Sequence, residues 1–257
     1  MEVHHHSHLA SGETHTARKK WTHYFWEFLM LFLAVFCGFL AEYQLEHIIE
    51  HQREKKYAQS LYEDLKVDTF LLNTTIRERN FVIPKIDTFR QLVHTKAVDE
   101  IPAGTWAYFG RFGTRHVRVS LQDVTLQQLL SSGGLRLFQK HNVADAIAQY
   151  DQGIREMREG FTFLDLNFND LVRARNKIFD AWYLDEIMDL TISVEKIDSF
   201  KKRSFPLLSN KQEDFIQYAN ICQVRSFDLK RVLVRIDIVA KRAERLLALL
   251  KEEYHLQ

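Results

Sequence analysis

Four histidines, His4, His5, His6 and His8, form a tract at the start of this 257-residue chain. His15 and His23 follow, so half of the 12 histidines precede residue 24. Neutral imidazoles bind zinc, nickel and copper, which makes the tract a weak metal candidate. The same composition fits a polar tail or an expression-tag remnant, and no metal or other cofactor is expected to be part of the fold. Glu27 is an acid at the edge of an apolar segment; it either snorkels to a membrane interface or pairs with a partner helix. Arg175 and Arg225 each interrupt an otherwise apolar helical seam. Two buried guanidiniums need an acid between them, and Asp68 is the candidate, with Asp64 second. The competing arrangement has both arginines snorkelling outward at a fraying end.

His47-Ile48-Ile49-Glu50-His51 matches the H-x-x-E-H pattern of inverted zinc peptidases. On a helix the two histidines share a face, but the motif follows an apolar segment by a few residues, with no cleft to supply a third ligand. Its expected role is two i,i+4 polar pairs, Glu46 with Glu50 and His47 with His51, on a solvated face. Two cysteines allow at most one disulfide. Cys222 falls on a seam, where it packs as a small apolar side chain, and Cys37 lies in the apolar segment. There is no P-loop, G-x-G-x-x-G, G-x-S-x-G or C-x-x-C, and no nucleophile beside a positioned base. Catalysis is therefore not expected.

The elements that carry these residues follow from composition and spacing. Gly and Pro total 12 of 257 residues, which argues against an all-β protein dense in tight turns. The net charge of +1 gives no reason to expect nucleic acid as a partner. The bases between Arg225 and Lys251 are interleaved with Asp228, Asp237 and Glu244 and read as a solvated helix face.

From Phe28 to Ala41 the chain carries no charge, and residues 21–43, bounded by Trp21 and Tyr43, are long enough at ~1.5 Å per residue to cross a bilayer core. Signal-peptide cleavage is disfavoured, since Phe39 or Phe36 would occupy the position that requires a small residue. An uncleaved anchor in the lipid bilayer is expected. Arg18, Lys19 and Lys20 precede it and Glu42, Glu46 and Glu50 follow, which favours a cytoplasmic N-terminus.

Beyond the span, residues 44–97 read as a helical stalk with Leu61, Leu65, Leu72, Ile76, Ile83 and Ile86 at helical spacing, and Pro84 marks the first break. Residues 98–120, with three glycines and Trp106, Tyr108, Phe109 and Phe112, read as an ordered aromatic loop with a short hairpin near His116–Ser120. Ser120 with Asp123 resembles a capping box for a helix at about 121–131. Two long seams then alternate by three and four. The first runs Val143, Ile147, Tyr150, Ile154, Met157, Phe161, Leu164, Phe168, Leu171, Arg175, Ile178, Trp182, with Asn142 and Asp145 as a cap. The second runs from Phe215 through Tyr218, Cys222, Arg225, Leu229, Val232, Ile236, Val239, Ala243 and Leu246 to Leu250, with Asn210 and Glu213 as a cap. An antiparallel hairpin buries both, with a parallel homo-oligomer as the alternative. Gly153 and Gly160 beside the first seam permit close approach of another helix.

The segments Trp26-Glu27-Phe28-Leu29-Met30-Leu31-Phe32-Leu33-Ala34-Val35, Ser60-Leu61-Tyr62-Glu63-Asp64-Leu65-Lys66-Val67-Asp68, Leu126-Gln127-Gln128-Leu129-Leu130-Ser131-Ser132-Gly133-Gly134-Leu135-Arg136-Leu137 and Ala146-Ile147-Ala148-Gln149-Tyr150 occur in that order. In this the chain resembles the uncharacterised single-span membrane proteins of Bacteroidetes over roughly residues 21–160. The resemblance implies a bacterial inner-membrane protein with a helical periplasmic domain and implies no chemistry.

The expected fold is thus all-α. It comprises a His-rich tail (1–20), a transmembrane helix (21–43) continuing into a stalk (44–97), and a coiled-coil-like long-helix bundle with one irregular aromatic loop (98–257). The expected function is protein interaction or scaffolding, with a protein partner or a second copy and no nucleic acid. The rival is a sensory module with a ligand pocket where Trp106–Phe112 meets the hairpin.

Overall fold

The computed structural model describes residues 17–116, 118–188 and 192–256. The fold is all-α, with no strand among the described residues, so the hairpin expected near residue 116 does not form there. The histidine tract lies outside the described residues. Two compact units divide the chain, Met1–Arg53 and Glu54–Gln257, and the first helix, α1 (Ala17–Thr95), contributes to both.

In the first unit α1 carries a stretch long and apolar enough to cross a membrane. Every side chain from Met30 to Ile49 is exposed. At 100° per residue Phe25, Phe28, Phe32, Phe36 and Phe39 fall within one arc of about 80°. The ring centroids of Phe28 and Phe32 are 6.2 Å apart and those of Phe32 and Phe36 are 5.9 Å apart.

The second unit begins at Glu54, so the segment read as a stalk is a core helix from that residue onward. Buried positions run Glu54, Ala58, Leu61, Leu65, Asp68, Leu72, Thr75, Arg79, Val82, Ile86, Phe89 and Val93, alternating by four and three. That is an unbroken heptad seam. Four polar residues on it hide it from a reading that counts only apolar residues. Pro84 does not end the helix. It sits on the exposed side, where water can solvate the Asn80 carbonyl that loses its donor.

Two further long rods pack on α1. The first is α4 (His141–Leu166) followed by α5 (Phe168–Ile178), and the second is α8 (Gln212–Tyr254). Helix α8 is antiparallel to both. Against α1, Asn73 meets Glu244, Asp87 meets Ser226, and Gln212 Nε2 donates to the Val93 carbonyl. Against the other rod, Arg242 donates to the Gln149 carbonyl, Arg225 to that of Leu164, and Lys177 pairs with Asp214. The expected antiparallel pairing of the two seams is present, with α1 completing a three-rod bundle. Gly153 and Gly160 face α8, where an added Cβ would lie 3.2 Å from Val239 and 3.0 Å from Val232.

The seam expected to run unbroken to Trp182 is interrupted. Asn167 (φ −103°, ψ 8°) separates α4 from α5. Beyond Ile178 it is Phe179 that turns inward, while Trp182 is exposed. The Ile178 carbonyl accepts from Leu208 N instead of continuing a helix.

Residues 98–114, expected as part of a loop, are an ordered, mostly helical insert. A 3₁₀ turn at Val98–Glu100 precedes α2 (Ala103–Gly110), and a second turn follows at Arg111–Thr114. Their glycines mark close contacts. A Cβ on Gly104 would collide with the Phe200 carbonyl oxygen of α7 (Val194–Lys201). The short α3 (Val124–Ser131) has Asp123 as N-cap, but the side chain makes no capping bond because Arg158 takes its carboxylate. The caps expected at Asn142 and Asn210 are one or two residues displaced, with Lys140 and Lys211 in those places. Between α5 and α7 lies α6 (Ala181–Leu184).

Candidate interaction surface and buried polar groups

Asp68, Arg175 and Arg225 do not form one cluster. The antiparallel register sets Ser226 against Asp87, about five helical turns further along α1 than Asp68. Asp68 is 1% exposed and accepts from the Tyr150 hydroxyl at 2.6 Å and from Gln122 N at 2.7 Å. Glu54 is held alike, by the Tyr254 hydroxyl and Gln139 N. Each carboxylate on α1 thus takes one tyrosine from a neighbouring rod and one backbone N–H from a connection flanking α3. A buried carboxylate requires such donors.

Burial pushes the Asp68 pKa above the ordinary value of 3.8, and the two donated bonds offset this in part. A folded-state pKa raised in this way adds stability below pH 3.8 that disappears as pH rises through the folded value. Asp87 acts in the opposite sense. Burial works to raise its pKa, but Lys230, Ser226 and Arg90 hold it below 3.8, so its contribution is lost on acidification. Asp68→Asn is therefore expected to remove a component that favours pH 4 over pH 7. In urea unfolding at both values, the pH 4 stability of the variant should fall relative to its own pH 7 stability by more than in the wild type. An unchanged difference would disprove this role.

Arg225 is 4% exposed. Its Nη1 donates to the Leu164 carbonyl at 2.7 Å and its Nη2 to the Arg115 carbonyl at 3.3 Å, with the guanidinium 5.9 Å over the Phe168 ring. The break at Asn167 leaves carbonyls of the last turn of α4 without intrahelical donors, at the negative end of the helix dipole. The guanidinium caps that break. Arg175 is half-buried and donates to Thr114 Oγ1 at 2.8 Å and to its neighbour Asn176. Two further arginines are buried, Arg111 and Arg79, and neither was singled out in the sequence; Arg79 is the one on the α1 seam. Arg79 is fully buried, stands 5.5 Å over the Phe161 ring, and its pKa is lowered to about 10 by burial and by the charge of Arg225. Its place four residues after Thr75 and three before Val82 on the α1 seam is the signal that marks it.

The remaining sequence candidates are dispersed. Glu27 is exposed on α1, on the side of the helix away from the phenylalanine arc. The His47 ring stands edge-on to Tyr43 with centroids 4.4 Å apart. Cys222 is buried, and burial pushes its thiol up to about 12, so it packs as an apolar group as expected. Trp106, Tyr108 and Phe112 are likewise buried, so these rings fill the core instead of walling a ligand site. An open groove of about 780 Å³ lies nearby, lined by residues 97–103, Ser204–Leu207, Asn210 and Gln212.

One surface was missed. The outward side of α8 presents Val224, Phe227, Arg231, Val234 and Ile238, again spaced by three and four. The four apolar residues are 40%, 57%, 61% and 39% exposed. Arg231 sits within 6 Å of the Phe163 and Phe227 rings, which joins the exposed Phe163 of α4 to the same patch. Comparison with protein-family models, curated proteins and solved structures finds no match. The function must therefore be argued from this surface. Most of the bases interleaved along the middle of α8 have partners inside the protein. Lys230 pairs with Asp87, Lys241 with Asp237, and Arg235 donates to the Glu156 carbonyl. Between them the apolar stripe stays exposed along α8.

Proposed function

We propose that the protein is a membrane-anchored helical module of the bacterial envelope that acts through protein contacts and not through catalysis. Residues 21–43 cross the inner membrane, with the N-terminus cytoplasmic and the bundle periplasmic. Proximity labelling from a tag at residue 257 reports the side. The observation that carries the reading is the second heptad stripe on α8. One seam of that helix is wholly used within the bundle, from Phe215 to Leu250. The other presents four apolar side chains to solvent at the spacing of a helix-binding surface. The largest contiguous apolar patch on a monomer's surface commonly measures about 300–600 Å² and is often functional.

The location of the stripe decides which substitutions test the reading. Leu164 and Ile236 are 5% and 0% exposed inside the bundle, so an aspartate at either place would unfold the protein without addressing association. Phe227→Glu changes an exposed side chain. Association measured by chemical crosslinking of the full chain in membranes is expected to fall by ~10-fold or more, the effect of losing one anchoring aromatic. The melting temperature should move by only a few degrees. Association unaffected by Phe227→Glu, or no association at all, overturns the reading.

A further inference from the structure

A buried charge needs a counter-charge or hydrogen-bond acceptors. Arg225 has two carbonyls. Arg111 has neither among the described residues. It is 7% exposed, and its Nε is shielded from water without an acceptor. The Tyr108 and Phe112 rings stand 5.0 and 4.7 Å from its guanidinium. Rings of this kind attract a cation but accept few of its N–H groups. Lys201 also stands over Tyr108, at 4.7 Å, but it has Asp198 at 3.2 Å. Burial lowers the Arg111 pKa, Tyr108 opposes this, and the charge that adds to the lowering is another base, Arg115.

Arg115 lies four residues on. It is half-buried, makes no ion pair among the described residues, and its Nε is likewise shielded without an acceptor. The turn that carries both is fixed. Tyr218 donates to the Gly110 carbonyl at 2.6 Å, Arg115 N donates to the Phe112 carbonyl at 3.2 Å, and the Arg115 carbonyl accepts from Arg225. A Cβ on Gly113, between the two arginines, would collide with the Tyr218 hydroxyl. The donors are therefore held in place before anything binds them, which lowers the ordering cost of binding.

We propose that Arg111 and Arg115 form an oxyanion site that takes one small phosphate group, free or as a lipid headgroup. Two guanidiniums without an acid call for two negative charges on one group. A phosphate carries about −1.5 to −2 at neutral pH and matches guanidinium donors bidentately, whereas a single carboxylate would leave one arginine unpaired. This is not the aromatic pocket expected from the sequence. The rings are core, and the donor edge of Arg111 is what binds. The proposal goes beyond the interaction reading and does not depend on it.

The full chain in maltoside micelles tests it, melted in sodium phosphate and in sodium chloride at matched ionic strength, with phosphate binding titrated by calorimetry. Phosphate is expected to bind at one site per chain and to raise the melting temperature until that site saturates. Arg111→Met keeps the volume between the rings and removes the charge. It should weaken phosphate binding ~10-fold or more. In chloride it should melt no lower than the wild type, because no unpaired buried charge remains. Arg115→Gln should also weaken binding several-fold, and it decides alone if Arg111→Met does not fold. Lys241→Gln, which removes an exposed base already paired with Asp237, should leave binding unchanged. Micelles doped with phosphatidylcholine or phosphatidic acid separate the two sources. Stabilisation by free phosphate in the former supports a soluble ligand. Stabilisation by phosphatidic acid alone, lost in Arg111→Met, supports a headgroup. No response to either, or an equal response in the wild type and both arginine variants, overturns the proposal and leaves Arg111 held by its rings alone. None of these readouts involves Phe227, so the outcome is separate from that of the interaction reading.

Discussion

Replacing Arg225 by alanine is expected to cost ~3–5 kcal/mol of unfolding free energy, the loss typical of removing one member of a buried charged arrangement. Three effects contribute. The Leu164 and Arg115 carbonyls lose their donors, and each bond comes from a charged group in a dry site. The guanidinium leaves a void beside Phe168. The break at Asn167 then has no cap, so α5 loses the hold that fixes it on α8. Relief of the repulsion with Arg79 opposes these losses but does not restore the missing bonds. Arg225→Met separates the contributions, since it fills most of the volume while donating nothing. It should cost about half as much. Hydrogen exchange should localise the damage to the first turn of α5 in both variants. A loss under ~1 kcal/mol for Arg225→Ala would show that the break is held by something else.

The all-α bundle was legible because two of its three rods carry nearly uninterrupted apolar heptads. On α8 the run from Phe215 to Leu250 has a single charge, and the antiparallel pairing with α4 follows from burying both seams. The third rod was not legible as core. Glu54, Asp68, Thr75 and Arg79 occupy four of its twelve seam positions. Apart from Thr75, which bonds within its own helix turn, each is accommodated by something that local spacing does not display. Tyr254 and Tyr150 come from distant helices, Thr75 bonds back to the Leu71 carbonyl, and Phe161 stacks under Arg79. The same limit explains the missed pairing partners of Asp68. It was recognised as a seam residue, but the register along α1 depends on packing between rods that a linear pattern leaves open. On α8 the outer stripe was hidden by neighbouring bases, because Arg231 and the charges around it read as one solvated face. Its four apolar members become visible only once the inner seam is known to be satisfied.

The largest effect expected in the insert is at Trp106, where alanine should cost ~3–5 kcal/mol. The glycines and aromatics of residues 98–120 suggest a long ordered loop, and a loop at the edge of the fold would tolerate the change. The packing says otherwise. Trp106 is fully buried, with its ring centroid 5.0 Å from that of Phe215 and 6.0 Å from that of Phe89, while Nε1 donates to the Val98 carbonyl at 3.0 Å. It joins α1, α2 and the start of α8, and Phe179 packs on the same two phenylalanines. Truncation would therefore open a cavity where three elements meet and leave a carbonyl without its donor. Trp106→Phe keeps most of the ring and loses the bond, so it should cost ~1–2 kcal/mol. Denaturant unfolding followed by far-ultraviolet circular dichroism measures both. This ordering distinguishes a core aromatic from one kept for a ligand. A ring that walls an open site is replaceable without loss of stability, and its removal changes ligand binding alone. If Trp106→Ala unfolded at the wild-type denaturant midpoint, the insert would be peripheral to the fold, and the ligand-binding alternative would regain its pocket.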